Sequence, residues 1–163
     1  MRTPQWVKKL GGHAGELYVA AELSKRGIPN ALLPENFSGD DLIIGGRNGK
    51  ALGYVQVKSC HPDRADTFLL KEEHEKWVSA KDNEFVVFVW LGSAKKNESP
   101  VYWIARRKDV GYACVNLRPS NKNIKERRFA PDEESGLNRK WKYPTRLEKK
   151  WRNDWAIFRS YMP

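Results

Sequence analysis

The chain has 163 residues, 40% of them hydrophobic and 12% aromatic, which is enough apolar mass for one packed domain and too much for wholesale disorder. Its 30 Lys and Arg against 20 Asp and Glu leave a net charge of +10, so a polyanionic partner is expected. The longest apolar run, residues 85–91, falls far short of the roughly 20 residues of a membrane span, and no membrane partner is expected. Lys8, Lys9, His13 and Glu16 interrupt any secretory core near the start of the chain. Cys60 and Cys114 stand apart and form no CxxC pattern, which excludes a disulfide scaffold or zinc ribbon and makes a reducing cytoplasm the expected compartment.

In chain order, residues 14–26 are predicted as a helix that stops at Gly27, with Leu17, Ala20, Ala21 and Ser24 on one face and Glu16, Ala20 and Leu23 on the next stripe. Pro29 and Pro34 bracket a short extended crossing. Residues 40–44 and 51–59 read as two strands joined by the glycine-rich turn Gly45-Gly46-Arg47-Asn48-Gly49. Alternation along the second strand puts Val55 and Val57 on one face and Tyr54, Gln56 and Lys58 on the other. A helical stretch is predicted over residues 66–81, with Leu70, His74, Trp77 and Val78 at helical spacing and His74 on a solvated face. Residues 84–91 read as a strand buried on both faces, residues 92–100 as a polar loop, and residues 101–106 as a hairpin partner. Residues 118–146 read as an irregular basic segment. Residues 148–162 read as a closing helix, with Leu147, Trp151, Trp155 and Phe158 on one stripe. Helix, hairpin, helix, strand, strand, helix is the order of an α/β fold, a mixed sheet with helices on its faces.

The charge is uneven. Residues 1–100 carry 14 basic and 13 acidic side chains, while residues 101–163 carry 16 and 7. The basic stretch also holds Trp103, Trp141, Trp151 and Trp155 with Tyr102, Tyr112, Tyr143 and Tyr161. Aromatics interleaved with cations suit nucleic acid; buried anchors beside a solvated charged face give the same composition.

The chemistry concentrates in Glu16, Asp41, Gln56 and Lys58. In a hairpin the start of the first strand faces the end of the second, which brings Asp41 to Gln56 and Lys58, and a helix on the sheet brings Glu16 to the same end. Two carboxylates and an amide oxygen are hard ligands suited to Mg²⁺. A lysine beside such an ion can deprotonate water or stabilise charge on a phosphoryl group. His13 and His61 have no comparable context and read as structural. Cys60 has no base beside it and reads as a buried small residue, and Gly11-Gly12 lacks the lysine of a phosphate loop.

Gly39-Asp40-Asp41-Leu42-Ile43-Ile44, then Tyr54-Val55-Gln56-Val57-Lys58-Ser59, preceded by Gly15-Glu16-Leu17, resembles the PD-(D/E)XK nuclease superfamily in its Gln-x-Lys variant, as in homing-endonuclease-like and Mrr-like members. The resemblance covers residues 14–106. It implies a restriction-endonuclease-like core, a mixed four-stranded sheet flanked by helices, spanning about residues 11–106 of a single domain, with residues 107–163 as a basic extension. It also implies a Mg²⁺-dependent endonuclease, with Mn²⁺ as a substitute, that hydrolyses DNA; RNA stays open as a substrate. On that resemblance Asp41 is the principal metal ligand, Glu16 a direct or indirect one, Gln56 the third-position ligand, and the Val57 carbonyl an additional one. Lys58 is the catalytic lysine. Gly39 and Asp40 stand where the family has proline, which makes Asp40 an alternative to Asp41. Gln56 replaces an acid, which leaves a catalytically inactive nucleic-acid-binding module as the other reading. One site per chain and two strands per duplex imply a homodimer or higher homo-oligomer.

Overall fold

A computed structural model of the chain describes residues 3–35, 37, 39–45, 52–61, 63, 65, 67–116, 125–132 and 145–163. The turn residues 46–51, Asp66, Trp141 and Tyr143 lie outside the described residues.

The first helix, α1 (Gln5–Lys25), begins nine residues earlier than its hydrophobic pattern announces, because Pro4 enters it with φ −56°. Its buried stripe is Gly15, Val19 and Leu23, not the face containing Leu17, which is 48% exposed. The expected stop holds: Gly27 takes φ +73° and the Ile28 N–H closes back onto the Leu23 carbonyl at 3.0 Å.

The chain then runs through β1 (Asn30–Leu32), β2 (Leu42–Ile44), β3 (Gly53–Cys60), β4 (Phe68–Lys71), a 3₁₀ segment (Glu72–Ser79), β5 (Glu84–Trp90) and β6 (Val101–Arg106). After β6 come α2 (Arg107–Asn116), β7 (Glu126–Ala130), β8 (Thr145–Arg146) and two short 3₁₀ segments, Lys149–Trp151 and Trp155–Tyr161. The main sheet has the order β1-β2-β3-β5-β6, with β3 and β5 parallel and every other pair antiparallel. It has five strands where four were expected. The extra one is the crossing between the two prolines, whose Asn30 and Leu32 pair with Ile44 and Leu42. β4, β7 and β8 form a second, three-stranded sheet.

Three sequence expectations change here. Residues 68–71 are a strand, because Phe68 and Leu70 alternate inward and pair with β7; only the 3₁₀ segment that follows is helical. His74 is buried rather than solvated, its Nδ1 accepting the Lys71 N–H at 3.0 Å. Within the stretch expected to be irregular, residues 126–130 form β7, whose inward Phe129 fills the space under β5.

Each face of the main sheet covers its own core. On the α1 side Val19, Leu23, Leu42, Val55, Phe85, Val87 and Val89 pack with Trp155 and Phe158. On the other side Cys60, Phe68, Val86, Phe88, Trp90, Trp103 and Phe129 pack with Trp151. Successive residues of β5 alternate between the two, which is the double burial expected of that run. The closing segment is therefore not one helix with a single stripe. Asn153 turns the chain at φ +52°, Arg152 bridges to Trp103 along the free edge of β6, and the aromatics on either side of the turn enter opposite cores.

Candidate active site

The site forms where β2 begins. The Asp41 N–H donates to the Val55 carbonyl at 3.0 Å, and Asp41 Oδ2 accepts the Val57 N–H at 2.6 Å. Main chain and carboxylate of Asp41 thus grip β3 on either side of Gln56, the residue midway between them. Antiparallel pairing of Leu42 with Val55 sets this register. Gln56 and Lys58 share the face of β3 opposite Val55 and Val57, as the two-residue period requires. Both are half-buried.

Lys58 stands among charges. Burial drives its pKa below lysine's ordinary value, Asp41 and Glu73 pull it back up, and Arg107 and Lys71 press it down. Asp41 mirrors this. Burial lifts its carboxyl above the ordinary range, opposed by the Val57 N–H and by the charges of Lys58 and Arg107. Glu16 is raised as well, first by burial and then by the charge of Asp41. Its neighbour His13 lies 3.9 Å away through Nδ1.

Glu16 comes close because α1 can lie against β3. A Cβ placed on Gly15 would overlap Ser59 Oγ and come within 3.0 Å of Ser59 Cβ, so only glycine admits this approach. Ser59 Oγ is buried there without a hydrogen-bond partner among the described residues.

Asp40 is turned elsewhere. It forms an ion pair with Arg107, which is buried, donates from Nε to the Phe85 carbonyl at 3.0 Å, and lies 5.8 Å from the Trp77 ring centre. Of the two neighbouring aspartates, Asp41 is the one hydrogen-bonded to β3. Arg107 was missed in the sequence, as were Glu73 and His74 beside Lys58. Arg107 follows a strand as the second of two arginines, a pattern that does not say which of them turns inward.

His61 and Cys60 have partners of their own. His61 Nδ1 accepts the Asp63 N–H at 3.3 Å, and the buried Cys60 thiol reaches the Ala65 and Thr67 carbonyls at 3.4 and 3.5 Å. Burial pushes the Cys114 thiol up to about 12, which leaves it unreactive.

Of the chain, 92% aligns with 89% of a solved structure, a bacterial homing endonuclease, I-Ssp6803I, at a TM-score of 0.52 and 15% identity. The fold is restriction-endonuclease-like. At that identity the likeness concerns the fold alone. No family model matches the sequence, and no curated protein matches it. Among the described residues no three His, Cys, Asp or Glu side chains gather as a metal cage, and no helix is long and apolar enough to cross a membrane.

The donor set still has the character of a Mg²⁺ site. Asp41, Glu16 and the Gln56 amide offer oxygen only, and Mg²⁺ keeps several of its waters and takes one or two protein carboxylates. Burial raises both carboxyls, with the charge of Asp41 adding to Glu16 and that of Asp40 to Asp41, and a nearby cation would relieve both shifts.

Proposed function

We propose that the chain is a Mg²⁺-dependent endodeoxyribonuclease acting from the site built on Asp41, Gln56, Lys58 and Glu16. The supporting observation is the grip of Asp41 on the Val57 N–H, which holds a carboxylate beside Gln56 within the electrostatic reach of Lys58. Asp41 and Glu16, with Gln56 and the Val57 carbonyl, would hold the ion, which when bound supplies charge neutralisation at the scissile phosphate. Lys58, whose pKa burial lowers, takes a proton from the attacking water as its oxygen bonds to phosphorus. The bond to the leaving sugar oxygen then breaks, that oxygen takes a proton from solvent water and the Lys58 ammonium returns its own to solvent, giving a phosphate end and a hydroxyl end. Arg107 holds Asp40 away from this site and adds positive charge near Lys58. One site per chain requires two copies to cut a duplex, so the working form would be a homo-oligomer.

Nicking and linearisation of supercoiled DNA in Mg²⁺ or Mn²⁺ tests the reading. Lys58→Ala and Asp41→Asn should each slow cleavage by about 10²–10⁴-fold. Cleavage by both variants at the wild-type rate would refute the site. The second reading, a nuclease fold that binds nucleic acid without cutting it, is favoured by the two-acid donor set and by Gln56. It predicts metal-independent binding and no cleavage by the wild type.

A further inference from the structure

Four residues on one stripe of α1, Trp6, Leu10, Ala14 and Tyr18, form one wall of a groove of about 430 Å³. The opposite wall is the β5–β6 connection at Leu91, Gly92 and Ala94, and His61 lies at the end of β3. Trp90, Trp103, Trp151 and Trp155 are buried, whereas Trp6 is 66% exposed, Leu10 58% and Tyr18 44%. The first half of α1 buries nothing, and its Gly11 and Gly12 each cost about 1 kcal/mol relative to alanine. No described atom lies within 4 Å of a Cβ at either glycine, so neither serves a close approach within the chain. They keep low a wall that something from outside can lie against.

The charges beside the groove indicate what that is. Lys8 lines an adjoining cavity that shares Gly11 and His61, and Lys95 and Lys96 are exposed on the 3₁₀ turn whose first residue, Ala94, lines the groove itself. The acid on the lining, Glu98, is engaged by the Ser93 N–H at 2.9 Å. Exposed aromatics with cations beside them are the composition of a single-strand stacking platform. The volume is that of a pocket for one small organic group, enough for an unpaired base and too small for a duplex.

We propose that this groove binds an unpaired stretch of the DNA strand, with bases stacked on Trp6 and Tyr18 and phosphates met by Lys8, Lys95 and Lys96. This rests on the nuclease reading for its partner and extends it to a second contact surface. The test is fluorescence anisotropy of a labelled 12-nucleotide oligo(dT) with the full chain in EDTA, so that no cleavage occurs. Trp6→Ala should weaken binding about tenfold or more, and Trp6→Phe should restore most of it. Lys95→Ala with Lys96→Ala should make the dependence of log K on log salt shallower by about 1.4. Plasmid nicking in Mg²⁺ and sedimentation velocity are run alongside. Oligonucleotide binding unchanged in all three variants overturns the proposal. Plasmid cleavage by a wild type that does not bind the oligonucleotide overturns it while leaving the nuclease reading intact. Neither cleavage nor binding removes both. Loss of an oligomer in Trp6→Ala with oligonucleotide binding intact assigns the groove to a second copy and also overturns it.

Discussion

Burial shifts the pKa of Lys58 down and that of Asp41 up, and each shift imposes a pH dependence. Since burial lowers the Lys58 pKa, its neutral form accumulates at lower pH than for a free lysine, whose ordinary value is 10.5. The logarithm of the nicking rate at saturating Mg²⁺ should therefore climb with pH and level off below 10.5; a flat profile from pH 6 to 9 would remove Lys58 as the base. Asp41 makes the opposite entry in the stability of the metal-free protein. Its carboxyl holds a proton more tightly folded than unfolded, so stability is greatest below the ordinary aspartate value of 3.8 and is lost as pH rises through the higher folded value. Asp41→Asn keeps an oxygen for the Val57 N–H and escapes that loss. Its thermal midpoint should exceed the wild type's at pH 7 without metal, the difference narrowing toward pH 3, while stabilisation by added Mg²⁺ disappears. An equal or lower midpoint at pH 7 would show that Lys58 and Arg107 attract the carboxylate more than burial opposes it. That Asp41 would lie against the Gln56 and Lys58 stretch of β3 was legible in the sequence, because a strand's two-residue period and a short hairpin leave few registers. Arg107 and Glu73 were not, because they reach Lys58 through α2 and the 3₁₀ segment, whose placement depends on contacts distant in sequence.

Among the elements, α1 against β3 sets the depth of the site. Gly15→Ala puts a methyl group onto Ser59 Oγ and near Ser59 Cβ, beside Val57 Cγ1 at 3.4 Å. Overpacking of this kind costs about 1–3 kcal/mol. Chemical denaturation should show that loss, and Ser59→Gly in the same chain should recover most of it, since it removes the atoms the methyl group meets. If Ser59→Gly gives no recovery, the helix is not seated on Ser59. Strands β3, β5 and β6 stood out in the sequence, since Val- and Phe-rich runs of this length between turn residues have few alternative structures. The early start of α1 was hidden because its first turns bury nothing and so carry no inward stripe. β4 was hidden because Leu70, His74, Trp77 and Val78 fit a helical period whether or not the first of them belongs to a strand.

At the scale of the whole molecule, not every cation behind the charge of +10 reaches the surface. Arg107 and Arg127 are buried in ion pairs with Asp40 and Glu75. The tail residues expected to lie over a near-neutral core also supply Trp151, Trp155 and Phe158 to its interior. Composition reported the excess of cations but could not distribute it, because a buried arginine and a solvated one count alike. If about six phosphates are neutralised, log K for duplex DNA should fall against log salt with a slope of about −5. A slope near zero in a binding titration would leave the excess charge without a nucleic-acid role.

The turn at Asn153 carries one more consequence. Because the residues on either side of it plug opposite faces of the main sheet, neither hydrophobic layer is sealed until residues 151–158 have been made and laid over the rim at β6. A nascent chain that stops short of Trp151 holds every residue proposed for cutting DNA yet lacks the clasp that closes both sides, so competence would arrive only once residues 151–158 have been made.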